Sequence, residues 1–318
     1  MTISIPWQER VGNQRDWVWR GWQTRYTYRR AVQPIAQTAP LILLHGFGAS
    51  IGHWRHNIDD LSQQHTVYAL DMLGFGASEK AVAPYSVSLW VEQVYDFWQT
   101  FIRVPVVLVG NSIGSLVCMA AAAAHPDMVA GIVMMSLPDP SLEAEMIPAK
   151  LRPAVAATKG LVASLVLKPL FYAIRRTSVI RKWAAFAYSD PTAITDELVD
   201  ILLHPATDRG SAQAFVGIFK AMSIAESGLS AKEILPLLQI PILLIWGEDD
   251  RMVPPKFAQP KQFAAYNPNL ELIELANCGH CPHDECPDRV NREILRWMAT
   301  NLNLAKIAVQ PSAEVVVR

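Results

Sequence analysis

The stretch Val104-Pro105-Val106-Val107-Leu108-Val109-Gly110-Asn111-Ser112-Ile113-Gly114-Ser115, with the Ala-rich run behind it, decides how this chain is read. From Val104 to Pro126 there is no Asp, Glu, Lys or Arg, and the run is long enough to cross a bilayer. Two glycines interrupt it, and its halves differ. The first is β-branched; the second, 116–124, is rich in helix-forming alanine. A buried strand, a tight turn and a buried helix account for that switch better than a membrane span. Ser112, between Gly110 and Gly114 on a strand-to-helix turn, fits the G-x-S-x-G pattern. Small neighbours let the turn tighten, and the strain lifts the hydroxyl above the sheet. The first N–H groups of the helix then face any oxyanion that develops there. The plainer reading is a glycine-flanked helix N-cap; the flanking strand and helix favour a reactive serine.

Working outward, strand-length apolar runs recur at 40–46, 66–72, 129–137, 241–247 and 270–277. Helical stretches lie between them at 51–61, 87–102, 112–125, 255–266 and 287–303. Such runs read as parallel strands buried on both faces and alternating with helices, an α/β fold with a mostly parallel central sheet. Ahead of them, Trp17, Trp19, Arg20, Trp22, Arg25, Tyr26 and Tyr28 lie in a β-prone segment, read as a hairpin broken at Gly21 whose aromatics cover a sheet edge. The alternation breaks once, with no strand signal from Pro138 to Leu235. The expected division is a core of residues 1–138 and 232–318 with a helical cap at 139–231. The tail, 305–318, is aperiodic and expected to be loose.

Composition excludes several classes. The chain has 318 residues, 51% hydrophobic and 18% charged, which rules out wholesale disorder. A net charge of −1 argues against a nucleic-acid binder working through global charge. Four cysteines do not make a disulfide scaffold. The N-terminal stretch lacks the apolar core of a signal peptide, and the expected location is the cytoplasm.

A serine hydroxyl needs a base. In this strand–helix order the acid and then the histidine follow the serine. His280 comes after the last strand, in Asn277-Cys278-Gly279-His280, and is preferred to His283, which lies further towards the last helix. After the penultimate strand come Glu248, Asp249 and Asp250; Asp250, beside Arg251 and ahead of Pro254, is the preferred acid. Asp249 and Asp139 are the alternatives, and each loser is an ordinary loop acid. His45-Gly46-Phe47-Gly48 closes an earlier strand, so the Phe47 and Ile113 N–H groups are the expected oxyanion donors. The glycine-rich segment 71–78 reads as structural.

HGFG (45–48), DMLGFGAS (71–78), GNSIGS (110–115), WGEDDRMVP (246–254) and CGHCPHDECP (278–287) occur in the order and spacing of the α/β-hydrolase superfamily, which the chain resembles from about Trp17 to Leu302. GNSIGS and GHCPHDECPDRVN look most like the branch holding pheophytinase, chlorophyll dephytylase and their bacterial relatives. That resemblance implies hydrolysis of a long-chain isoprenoid ester. Carbon–carbon bond hydrolase and cofactor-free perhydrolase chemistry share the fold, as do non-catalytic ligand-binding proteins.

Cys278, Cys281, His283 and Cys286 imitate a zinc cluster. His280 sits inside that cluster, and a closed metal site would compete with it, so neither metal nor other cofactor is expected. Cys118 reads as core. Between Met146 and Ser189 there is no acid, but Lys150, Arg152, Lys159, Lys168, Arg175, Arg176, Arg181 and Lys182 are interleaved with apolar residues. A solvated cap explains this; so does peripheral contact with a membrane surface. The expected partner is a small-molecule ester, not nucleic acid, and the sequence assigns no oligomeric state.

Overall fold

A computed structural model describes residues 5–33, 38–139, 166–223 and 230–302. Its centre is an eight-stranded sheet in the order β1-β2-β4-β3-β5-β6-β7-β8. The strands are β1 (Asn13–Trp19), β2 (Trp22–Arg29), β3 (Leu41–Leu44), β4 (Val67–Leu70), β5 (Val106–Asn111), β6 (Val129–Met135), β7 (Ile242–Gly247) and β8 (Leu270–Leu275). From β4 to β8 all neighbours are parallel; the β1–β2 hairpin joins the β4 edge antiparallel. As expected, the hairpin turns at Arg20-Gly21. Trp17 packs edge-on against Phe97 and Phe101, at 5.8 and 5.7 Å between ring centroids.

The apolar strand runs follow from burial on both faces. Ile42, Leu44, Leu108, Ile132 and Leu244 enter one hydrophobic cluster, while the alternate residues Leu41, Leu43, Val109, Val133 and Leu243 enter the other. With side chains alternating and neither face wetted, polar residues have no place in these strands. Each fully buried Leu or Val stabilises the fold by about 2 kcal/mol. Cys118 is fully buried in the first cluster, as expected.

The helices cover both faces. The long helix Val87–Phe101 is capped by Ser86, whose hydroxyl accepts from Leu89 N, and it buries Trp90, Val94 and Phe97. The uninterrupted helix expected over 51–61 is instead a 3₁₀ turn, Ile51–Trp54, and a short helix, Ile58–Leu61. Asn57 divides them, its amide committed to His283 O and Asn291 Oδ1. The helix expected over 255–266 breaks at Gln259, which takes φ 51° ahead of Pro260. Two short helices, Trp7–Arg10 and Pro282–Glu285, carry too few residues to show a period.

The uncharged 104–126 run becomes β5, a turn and the helix Ile113–Ala124. Among the described residues no helix is long and apolar enough to cross a membrane. Between β6 and β7 the described residues are helical and contain no strand, with helices at 166–174, Thr177–Ala187, Asp196–Leu203 and Ser211–Ser223. Ala184, Tyr188, Leu198 and Val199 form a small apolar cluster of their own. Lys150, Arg152, Lys159 and the 305–318 tail lie outside the described residues.

Strand order also fixes where a site belongs. From β3 the chain moves to β4 on one side and then to β5 on the other. The C-terminal ends of β3 and β5 therefore flank a crevice, the place where ligands bind in open α/β sheets. His45–Gly48 and Ser112 lie there.

Candidate active site

Ser112 sits between β5 and the helix Ile113–Ala124 with φ 55° and ψ −120°. A non-glycine residue at positive φ is strained by about 1–3 kcal/mol and persists only where its surroundings enforce it. They do so here by contact. A Cβ on Gly110 would lie 2.4 Å from Gly114 C, and one on Gly114 would lie 2.2 Å from Leu44 O. Ser112 N donates to Met135 O at 2.8 Å, and the Ser115 hydroxyl accepts from Met135 N at 2.9 Å, pinning the turn to β6. The Ser112 side chain does not cap its own helix, so the hydroxyl is left to the cavity above it.

His280 and Asp250 meet from two separate loops. His280 Nδ1 lies 2.8 Å from Asp250 Oδ2. Beside a carboxylate that nitrogen carries the proton, which leaves Nε2 as the basic one. The other Asp250 oxygen accepts from Met252 N and Val253 N at 2.9 and 2.8 Å, so the carboxylate is oriented by backbone of its own loop. Asp250 is 3% exposed and His280 4%. On the histidine loop, Asn111 Nδ2 donates to His280 O, and His280 N donates to Ala187 O at 2.7 Å. A Cβ on Gly247 would lie 2.2 Å from Gly279 O, so the two loops touch backbone to backbone.

The alternatives are accounted for elsewhere. Asp249 accepts from Ser189 Oγ, and Asp139 accepts from Ala231 N. His283 is fully buried between the rings of His53 and Trp54. Asp71 is structural, as its segment suggested: its carboxylate accepts from Ile51 N and Ala77 N, and burial pushes its pKa up to about 6. Cys278 and Cys286 touch each other, whereas Cys281 faces Asn111. Among the described residues no group of three or more His, Cys, Asp or Glu side chains is placed to hold a metal ion.

Phe47 and Ile113 flank Ser112 from β3 and from the helix N-terminus. Among the described residues neither N–H donates to a backbone acceptor. Phe47, Ser112 and His280 line a cavity of about 600 Å³. Phe75, Lys80 and Met252 add to its walls from the loops after β4 and β7, and the rest of the wall, from the segment between β6 and β7, is mostly apolar, with Leu167, Phe171, Trp183 and Phe215 among it. A larger cavity of about 960 Å³ lies under the Trp7–Arg10 helix, is lined by Asp71, Glu197, Asp200 and Asp208, and reaches neither Ser112 nor His280.

Sequence reasoning missed several polar residues of the smaller cavity, His53 and Tyr188 among them. His53 Nε2 lies 2.8 Å from the Tyr188 hydroxyl, which donates to Asp284 Oδ2 at 2.6 Å. Asp284 also pairs with Arg55 at 2.6 Å, and Arg55 reaches Glu197. Burial pushes the His53 pKa down to about 4, against the pull of Asp284, so the ring is neutral near pH 7. The only local signal for His53 was its place beside Trp54, Arg55 and His56 in a segment read as a helix, and Tyr188 carried none.

A family model for the α/β hydrolase fold matches residues 39–287. The chain belongs to the α/β-hydrolase family. Pheophytinase of Arabidopsis thaliana is 25% identical over 86% of this chain; the chain spans 64% of that protein's length. A 2-hydroxy-6-oxo-6-(2'-aminophenyl)hexa-2,4-dienoic acid hydrolase of Metapseudomonas resinovorans is 26% identical over 91% of both chains. Among solved structures, a membrane phospholipase A described as a bacterial virulence factor superposes with a TM-score of 0.73 at 23% identity, covering 93% of this chain and 89% of that one. At that identity the likeness shows the fold. The expected α/β-hydrolase architecture and superfamily are those found, and the chain is a hydrolase of this fold.

Proposed function

We propose that this α/β hydrolase cleaves a lipophilic carboxylic ester by two-step acyl transfer, with Ser112, His280 and Asp250 as its triad. The observation that carries the reading is the shared cavity: a strained, uncapped Ser112 and an Asp250-bound His280 lie at one end of a largely apolar chamber. In the first step His280 Nε2 takes the Ser112 proton as Oγ attacks the ester carbonyl. The Phe47 and Ile113 N–H groups hold the oxyanion, and the helix N-terminus adds its partial positive charge. His280 then protonates the departing alcohol, leaving an acyl-serine. In the second step His280 deprotonates water, which attacks the acyl carbon and releases the acid. Asp250 holds the imidazole tautomer and stabilises its charge. The segment 139–231 acts as a cap whose aromatic side chains receive the chain of the substrate.

Carbon–carbon hydrolysis is the second reading. It is favoured by relatives such as the aminophenyl-hexadienoic acid hydrolase and by Arg175 in the cavity wall, a cation suited to an acidic substrate. The test is a panel of p-nitrophenyl esters of increasing chain length, run beside a phytyl-ester pigment and a meta-cleavage dienoate. The ester reading expects fluorophosphonate labelling at Ser112 and rising kcat/KM with chain length. Turnover of the dienoate alone would replace it with the second reading, and no turnover with any substrate would leave a binding protein.

A further inference from the structure

The mouth of the Ser112 cavity is ringed by side chains that a water-facing surface does not call for. Phe47, Leu170, Trp183 and Met252 all line the cavity, yet each is between 41% and 54% exposed. Tyr172 and Phe186, on the same two helical segments as Leu170 and Trp183, are also about half exposed. Scattered exposed apolar residues need no explanation, but a cluster around one opening marks an interaction surface.

Charge says what it meets. From 166 to 189 the chain carries Lys168, Arg175, Arg176, Arg181 and Lys182 and no acid. Arg181 pairs with Asp196, and Arg175 lies over the Tyr172 ring at 4.6 Å. Lys168, Arg176 and Lys182, interleaved in sequence with those apolar residues, are exposed. Two acids border the stretch, Asp190, which accepts from Thr192, and Asp249, which accepts from Ser189, against five cations within it. Half-exposed aromatics edged by cations, without acids between them, match the boundary of an anionic bilayer, where rings enter the acyl region and Lys or Arg meet headgroups.

We propose that this face docks on an anionic phospholipid bilayer and that the cavity mouth opens into it. The inference rests on the lipophilic-ester reading only for its purpose: such an ester resides in a bilayer, and docking lets it reach Ser112 without crossing water. A soluble protein partner would not need its contact face to surround the substrate entrance.

The experiment is co-sedimentation of the full chain with phosphatidylglycerol/phosphatidylcholine vesicles and with pure phosphatidylcholine vesicles, at low and high salt. Binding is expected to the anionic vesicles at low salt, to fall at high salt, and to be weak on the neutral ones. The variant K168E/R176E/K182E changes residues outside the cavity lining. Each lost contact is worth about fivefold in partitioning, so the triple variant should lose about a hundredfold. Its hydrolysis of a short soluble ester should stay unchanged, which also reports that it folds; K182E alone should give an intermediate loss. Phe186→Ser should weaken binding at both salt concentrations. Failure of the wild-type chain to sediment with anionic vesicles at low salt, or undiminished binding by the triple variant, overturns the proposal. Vesicle binding without turnover of any ester would instead overturn the ester reading and leave the docking surface standing.

Discussion

At the floor of the cavity, Gly110, Gly114 and Ser112 are held by backbone contacts with no room for a methyl group. Across from them, Leu170 and Trp183 stand half in solvent, and Phe215 meets Phe47 edge-on and Phe171 at a tilt. The floor is rigid because β3, β5 and β6 are hydrogen-bonded neighbours and the serine turn is clamped between them. The opposite wall is held by side-chain packing and a few polar ties, such as Tyr188 to Asp284. The floor is thus held by main-chain bonds and close backbone contacts, and the wall by side-chain contacts, which yield more readily to a change of shape. Under the proposed mechanism, chemistry belongs to the first region and substrate choice to the second.

The sharpest way to break that division is at the floor. Under the proposed mechanism Ser112→Ala should lower ester turnover by at least about 10⁴-fold and abolish fluorophosphonate labelling, with little change in folding. Residual turnover near the wild-type rate would remove Ser112 from the chemistry. Asp250→Asn should cost about 10³ to 10⁴ in kcat through loss of the imidazole tautomer, whereas Asp249→Asn, one residue away, should stay within about twofold. If the two variants behaved alike, the geometry around His280 Nδ1 would not be what sets the rate.

Stability tests the floor's rigidity. Gly114→Ala places a methyl against Leu44 O, an atom of the sheet backbone that cannot move aside, and should cost about 3 kcal/mol or more in urea unfolding. An effect below about 1 kcal/mol would mean the turn is softer than these contacts imply.

The pH dependence joins the two regions, because burial holds His45 and His53 at pKa values of about 4. A depressed histidine gives stability that is present above its unfolded value near 6.5 and is lost as pH falls towards 4. Each contributes on the order of 3 kcal/mol over that window. Asp71, raised to about 6, acts in the opposite sense: the neutral acid gains stability as pH falls from 6 to 4. One raised acid offsets one histidine, and His283, also depressed by burial, adds to the histidine side. The net expectation is a lower urea midpoint at pH 4.5 than at pH 6.5, with part of that drop absent in His53→Gln. An unchanged wild-type midpoint would contradict the burial of these rings.

The smallest effect is expected at the wall. Phe215 touches Phe47, Phe171 and Phe219, and Phe215→Ala should lower kcat/KM for long-chain esters by about tenfold while leaving short esters within about twofold. Equal losses on both would mean that Phe215 supports the floor rather than the choice of substrate.

The mostly parallel sheet and the place of Ser112 on a strand-to-helix turn were set by the order of residues alone, whereas the switch point beside it came with the strand order of the fold. A run such as 104–115 encodes its outcome locally: β-branched residues buried on both faces make a strand, and glycines two residues either side of a serine allow one tight turn. His280 followed by position, since the loop after the last strand must return to the same sheet edge. Sequence position favoured Asp250 among three adjacent acids, and tertiary structure supplied the contacts that turn it inward. Asp250 stood apart in the sequence only by lying beside Arg251 and ahead of Pro254; in the fold Met252 N and Val253 N orient its carboxylate towards His280. Tertiary structure also decided that the helices expected over 51–61 and 255–266 would break, at Asn57 and at Gln259, and that His53, Tyr188 and Asp284 would meet. His53 and Tyr188 are 135 positions apart in the chain, and their pairing comes from helix packing over the sheet rather than from any short-range pattern.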